Sequence, residues 1–171
     1  IRDRYQALCR SEALEEEFEQ YLQDISMTNI DVYWHSEVFV DGEREFVHVL
    51  LITDYCYYIF ILHDLEGGHY VNPFNILCTD SHEAVMDLNR SDKLYQMFRA
   101  QLIDEGEFQR PIIIKYVMMN DRFTMKTRKS DLFLSKENLP YYLKAIEHSA
   151  VIKNKNTPCL LYTSPSPRDK R

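Results

Sequence analysis

Four titratable side chains follow one another closely after an apolar segment: His63, Asp64, Glu66 and His69. Imidazole nitrogens and carboxylate oxygens are common zinc ligands, and a histidine can also transfer protons near neutral pH. The spacing between the two histidines matches no standard zinc signature, however, and polar residues are ordinary where a strand passes into a loop. A metal site at His63, Asp64 and His69 is therefore a hypothesis that competes with a simple polar loop, and the loop is favoured.

Two apolar segments lead into this group. They are residues 46–52 and 57–62, and a short turn at Asp54-Tyr55-Cys56 separates them. Both segments are rich in β-branched and aromatic residues and are bounded by turn residues. This pattern predicts two central strands of a sheet that is covered on both faces.

The flanking sequence predicts the elements that must surround these strands. In chain order, the spacing of apolar residues predicts a helix over 11–25, a strand over 32–39, a helix over 81–104, a strand over 111–119, a short strand over 123–127 and a helix over 136–149. Strict alternation in the strand over 32–39 would put Val32, Trp34, Val38 and Val40 on one face. The expected fold class is α/β, with a mixed sheet flanked by helices in a single domain.

Residues 45–67 resemble the core of the nuclease-related domain (NERD) family, a branch of the PD-(D/E)XK restriction-endonuclease-like fold. The family pattern, IDhllIt followed by iyifEvKnyeG, is matched in its frame by His48, by Leu50 to Thr53, by Tyr58 to Phe60 and by Leu65 to Gly67. The resemblance implies a restriction-endonuclease-like core, formed by a helix, a β-meander, a second helix and a further strand. It assigns residues 1–150 to one such domain.

The same resemblance implies that the catalytic residues are missing. In the alignment, the family's metal-binding aspartate falls on Val47, its second acidic ligand on Ile61 and its lysine on His63. A nuclease of this class needs two carboxylates that converge on Mg2+ and a lysine that positions the attacking water. Val47 and Ile61 have no lone pairs to offer, and one imidazole does not replace the whole set. The chain is expected to be an inactive nuclease-like domain that serves binding or scaffolding, with no catalytic residue and no cofactor.

The alternative hypothesis is a metal-dependent DNA nuclease whose active site has moved. Asp64 and Glu66 would then supply the carboxylates for Mg2+, and His63 would replace the lysine. In the resembled family the helix before the strands often carries a glutamate that supports the metal, and Glu12 or Glu15 would hold that position. On so acidic a helix, the favoured interpretation is that both glutamates face water.

The amino-acid composition limits the kinds of molecule that the chain is expected to bind. The net charge is −7 and the sequence pI is about 5.4, which disfavours nonspecific binding to nucleic acid because such binding depends on Lys and Arg. One basic cluster, formed by Arg122, Lys126, Arg128 and Lys129, is an exception, and the favoured interpretation is a solvated loop. No apolar run approaches the roughly 20 residues of a membrane span. The cysteines form no CxxC pair, so the expected compartment is the cytoplasm.

The C-terminal residues look foreign to the domain. Cys159 to Asp169, CLLYTSPSPRD, resembles the in-frame translation of a transposase-type sequencing adaptor. Residues 159–171 are therefore excluded from the fold prediction, and without their three basic residues and one acidic residue the net charge becomes −9. Residues 151–158 are then expected to be a linker, or the start of a C-terminal region lost at the junction.

Overall fold

A computed structural model describes the backbone of residues 2–25, 30–107, 110–127 and 131–160, and the side chains of residues 12–25, 30–107, 110–127 and 131–150. Within these ranges the elements, in chain order, are α1 (Arg2–Ile25), β1 (Asp31–Val40), β2 (Glu43–Ile52), β3 (Tyr57–His63), β4 (Gly67–Val71), β5 (Ile76–Thr79), β6 (Ala84–Asp87), α2 (Arg90–Asp104), β7 (Ile112–Met118), β8 (Phe123–Met125), β9 (Phe133–Ser135) and α3 (Leu139–Leu160). None of the helices in these ranges is long and apolar enough to span a membrane.

The main sheet has the strand order β1-β2-β3-β7-β9. β1, β2 and β3 form an antiparallel meander, and β7 then lies parallel to β3 after the crossover through α2. The turn between β2 and β3 is closed by the hydroxyl of Thr53, which accepts hydrogen bonds from the backbone N–H groups of Tyr55 and Cys56. The predicted meander and the mixed α/β class are confirmed.

Each face of the main sheet is covered by helices. Ile59 and Phe60 are neighbours on β3, and both are fully buried, so the two faces of this strand are inaccessible to water. Phe60 belongs to a core that α1 and α3 complete, with members Phe18, Leu22, Val49, Leu51, Phe60, Leu62, Leu139, Leu143 and Ile146. Ile59 belongs to a second core under α2, with members Val47, Leu50, Ile59, Leu94, Met97, Phe98, Leu102, Ile112 and Ile114. The predicted burial of both faces of the central strands is therefore confirmed.

One strand of a second, small sheet (β6-β5-β4-β8) lies where the sequence predicted the beginning of a long helix. The prediction over 81–104 is correct for α2 but wrong before Arg90, since Ala84–Asp87 forms β6. Local hydrogen bonds favour hairpins here: the Asn72 side chain accepts from the N–H groups of Phe74 and Ile76, and His82 adopts a left-handed φ of +68°. A left-handed residue ends a helix but suits a tight hairpin turn.

The last helix also differs from its prediction. α3 begins at Leu139, because Ser135 is the last residue of β9 and Pro140 stands in the first helical turn, where its missing N–H is not needed. The helix continues beyond Ser149 as far as Leu160. The proposed adaptor origin of residues 159–171 stays a prediction, and residues 161–171 lie outside the described ranges.

A reversal of the side-chain pattern occurs in the middle of the β1–β2 hairpin. His35 has a left-handed φ of +53°, and the pairing of β1 with β2 passes from Trp34 opposite Val49 to Ser36 opposite Val47 without a pair at His35. Trp34 packs against the core of α1 and α3, whereas Val38 lies in the core under α2. The predicted grouping of Val32, Trp34, Val38 and Val40 on one face is therefore wrong, because one left-handed residue exchanges the two faces.

Candidate functional site

Apolar packing fills the positions assigned to the family's carboxylates. Val47 is 1% exposed and belongs to the core under α2. Ile61, on the neighbouring strand, packs between that core and the core of the small sheet. Neither side chain can bind a cation, so the two strands contribute hydrophobic contacts at the positions that the resemblance would give to metal ligands.

His63 lies at the end of β3, beside these apolar residues. Its ring centroid is 5.6 Å from that of Tyr116, and its Nε2 atom is buried with no hydrogen-bond partner. Burial lowers the pKa of His63 to about 4, with a further contribution from the charge of His48. At neutral pH the imidazole is therefore uncharged, and it does not reproduce the positive charge of a catalytic lysine.

The β2 residue that interacts with His63 is His48. The Nδ1 atom of His48 accepts a hydrogen bond of 3.0 Å from the backbone N–H of Leu62, beyond the last strand pair at Val49 and Phe60. Burial lowers the pKa of His48 as well, and the charge of His35 adds to this effect. Counted back from Thr53 without a gap, the pattern IDhllIt puts its aspartate at His48, next to the Val47 of the alignment, and neither side chain is a carboxylate.

The residues after β3 have separate partners. Asp64 accepts a hydrogen bond of 3.0 Å from the side-chain amide of Asn120, and Glu66 forms a 2.7 Å ion pair with Arg122. His69 is buried, with its Nδ1 atom 2.9 Å from the carbonyl oxygen of Gly67. Within the described ranges, no three His, Cys, Asp or Glu side chains are close enough together to hold a metal ion. The structure therefore does not bring His63, Asp64 and His69 together as ligands, and Asp64 and Glu66 do not converge on one ion.

The basic cluster of the sequence is only partly described. Arg122 pairs with Glu66, and Lys126 lies 3.0 Å from Asp80. Arg128 and Lys129 lie outside the described residues. Because the two described members already have acidic partners, the local charge is nearly balanced at these positions, which favours the interpretation as a solvated loop.

A cleft that the sequence did not predict lies between α1 and β1. It has a volume of about 300 Å3 and is lined by Glu12, Glu15, Glu16, Glu19, Trp34 and His35. Glu15 was expected to face water, but it is only 7% exposed, and its Oε2 atom is 2.7 Å from Nε2 of His35. Burial raises the pKa of Glu15, although the neighbouring His35 opposes the rise. The helical spacing of the glutamates is visible in the sequence, but the contact with His35 depends on the left-handed backbone at that residue.

The cleft and the region around His63 are thus two candidate places in the described part of the chain, and at each of them a titratable side chain is at least half-buried beside another titratable group. The first is acidic and open, and the second is apolar with neutral imidazoles. Comparison with known proteins adds no assignment to either place, because no family model, no curated protein and no solved structure matches this chain.

Proposed function

We propose that this chain is a nuclease-related domain without catalytic activity, which acts as a binding or scaffolding module. The observation that carries the proposal is the chemistry at the positions where the family pattern requires two carboxylates and a lysine. These positions hold Val47, or His48 when the pattern is counted without a gap, together with Ile61 and His63, and both histidines are half-buried with lowered pKa values. An uncharged, largely apolar site without carboxylates lacks the oxygen ligands that hold Mg2+ against a phosphate.

The order of the elements supports the nuclease-like part of the proposal. A helix, an antiparallel meander, a crossover helix and a parallel strand follow one another, as the resemblance implies. The small sheet (β4, β5, β6 and β8) would then be an addition to that core. This order is also compatible with other α/β folds, so the sequence pattern between residues 45 and 67 remains the specific support for the family.

The balance of charge supports binding of something other than nucleic acid. The chain carries 27 acidic residues against 20 basic ones, and the described members of its basic cluster are paired with Glu66 and Asp80. Phosphate groups would meet a predominantly negative surface, which weakens association.

Metal binding tests this proposal directly. We expect no saturable binding of Mn2+ to the natural chain, measured by the loss of the free-ion electron paramagnetic resonance signal. The variant His48→Asp/Ile61→Glu/His63→Lys restores two carboxylates and a lysine, and it should gain Mn2+ binding if the alignment is right. The matched control His48→Asn/Ile61→Gln/His63→Gln has polar side chains of similar size but no carboxylate, so it should not bind.

Circular dichroism of both variants establishes that they are folded before their binding is compared. Saturable Mn2+ binding by the natural chain that disappears in Asp64→Asn/Glu66→Gln would overturn the proposal. That outcome would support a nuclease site that has moved to the loop after β3.

A further inference from the structure

We infer that the cleft between α1 and β1 is a binding site for an organic cation, namely an ammonium group carried on a flexible chain. Polyamines and lysine side chains both have this chemistry. The inference goes beyond the proposed function and does not depend on it, because the cleft residues lie outside the sequence pattern that carries the nuclease resemblance. The cleft's volume of about 300 Å3 is at the lower end of the range for small-ligand pockets.

The first line of support is the uncompensated charge of the cleft. Glu12, Glu16 and Glu19 are exposed, and among the described residues no basic side chain pairs with any of them. Glu17 on the same helix differs, since it pairs with Lys136 at 2.6 Å. Acidic residues three or four positions apart on a helix repel each other, so this face of α1 is destabilised until a cation neutralises it.

The second line of support is Glu15, which lines the same cleft. Its side chain is more than nine-tenths buried, and its Oε1 atom has no hydrogen-bond partner. Its other oxygen is held by His35, so the carboxylate has a fixed orientation while Oε1 lacks a donor. A buried oxygen without a donor is unfavourable, and an ammonium N–H would remove that cost.

The third line of support is Trp34, the single tryptophan of the chain, which forms part of the cleft wall. Its ring meets that of Phe18 edge to face, with centroids 6.2 Å apart, and this contact holds its orientation. Indole is the best aromatic partner for a cation, and it also contacts the methylene groups of an alkylammonium chain. An aromatic wall beside a row of carboxylates suits an amine better than a hydrated inorganic ion.

The arrangement of the carboxylates also disfavours a metal ion as the ligand. A divalent cation needs several oxygens that converge on one point at 2.0–2.6 Å, roughly the range seen for magnesium and calcium. The glutamates are instead distributed along two turns of α1, and no group of three potential ligands in the described part of the chain is compact enough for a metal.

The test is a fluorescence titration of the full chain, because Trp34 reports directly on the cleft. The probes are spermidine, trilysine and Mg2+, each added at the same constant ionic strength. We expect saturable changes in Trp34 fluorescence with spermidine or trilysine. The probe that binds more tightly identifies the source of the ammonium group. Mg2+ should cause no saturable change.

Two variants with equal charge changes decide whether the cleft is responsible. Glu12→Gln/Glu16→Gln alters two exposed cleft residues, whereas Glu83→Gln/Glu137→Gln alters two exposed glutamates that do not line the cleft. The first variant should weaken amine binding about tenfold and the second less than about twofold. Both variants change the net charge equally, but an amine interacts more strongly with a carboxylate that it contacts than with a distant one. Equal losses in the two variants, tighter binding of Mg2+ than of either amine, or no saturable response to either amine would each overturn the inference. Equal losses in the two variants, or no response to either amine, would leave the proposed lack of nuclease activity unaffected.

Discussion

Replacement of Phe60 with alanine should lower the free energy of unfolding by about 3–5 kcal/mol, the largest effect expected of a single substitution in this chain. Phe60 is fully buried at the centre of the main sheet, and its ring lies 5.3 Å from Phe18 and 6.1 Å from Tyr142. These neighbours come from α1 and α3, so the cavity would loosen both helices against β3. Urea unfolding followed by circular dichroism measures the change.

The matched control is Phe74→Ala, which removes the same atoms from a side chain that is 77% exposed. Its free energy of unfolding should stay within about 0.5 kcal/mol of that of the natural chain. If the two substitutions had similar effects, the core formed by α1, α3 and the main sheet would not have the packing described.

Stability should depend less strongly on pH in His63→Leu than in the natural chain, because the substitution removes the contribution of one half-buried imidazole. The pKa of His63 is about 4 in the folded protein and about 6.5 in a solvated chain. Between these values the unfolded state binds a proton that the folded state excludes. The free energy of unfolding should therefore fall as the pH falls from about 6.5 to about 4, by up to about 3 kcal/mol from this residue.

Urea unfolding at pH 7.0 and pH 4.5 gives the change in the free energy of unfolding for the natural chain and for His63→Leu. Subtracting one change from the other removes the contribution of the carboxylates, which both proteins share. His63→Leu should be at least as stable as the natural chain at pH 7.0, because the buried Nε2 atom has no hydrogen-bond partner to lose. His148→Gln changes an exposed histidine of α3 and should keep the full dependence on pH. An unchanged dependence in His63→Leu would show that His63 remains solvated.

The elements that the sequence predicted correctly are those with a strong and uniform pattern. β2, β3 and β7 are runs of apolar, β-branched and aromatic residues, and burial on both faces leaves few alternatives to a central strand. β4, β5 and β6 have no such pattern. Their hairpins depend on turns at Asn72 and His82, whose hydrogen bonds and left-handed backbone compete with the helix that the residues from Ser81 onwards otherwise favour.

The candidate sites were predictable to different degrees. The absence of carboxylates at Val47, His48, Ile61 and His63 is a matter of residue identity, so it can be read directly from the sequence. The cleft between α1 and β1 was not predictable in this way. It requires the reversal at His35, which turns that imidazole toward Glu15 and depends on contacts between distant parts of the chain.

The proposed function rests on the claim that this chain does not cut nucleic acid. The most direct measurement is the cleavage of single- and double-stranded DNA by the purified chain in the presence of Mg2+ or Mn2+, beside His48→Asp/Ile61→Glu/His63→Lys. We expect the natural chain to leave both substrates intact, and metal-dependent cleavage by the variant would add support for the alignment. Metal-dependent cleavage by the natural chain that chelation abolishes would contradict the claim.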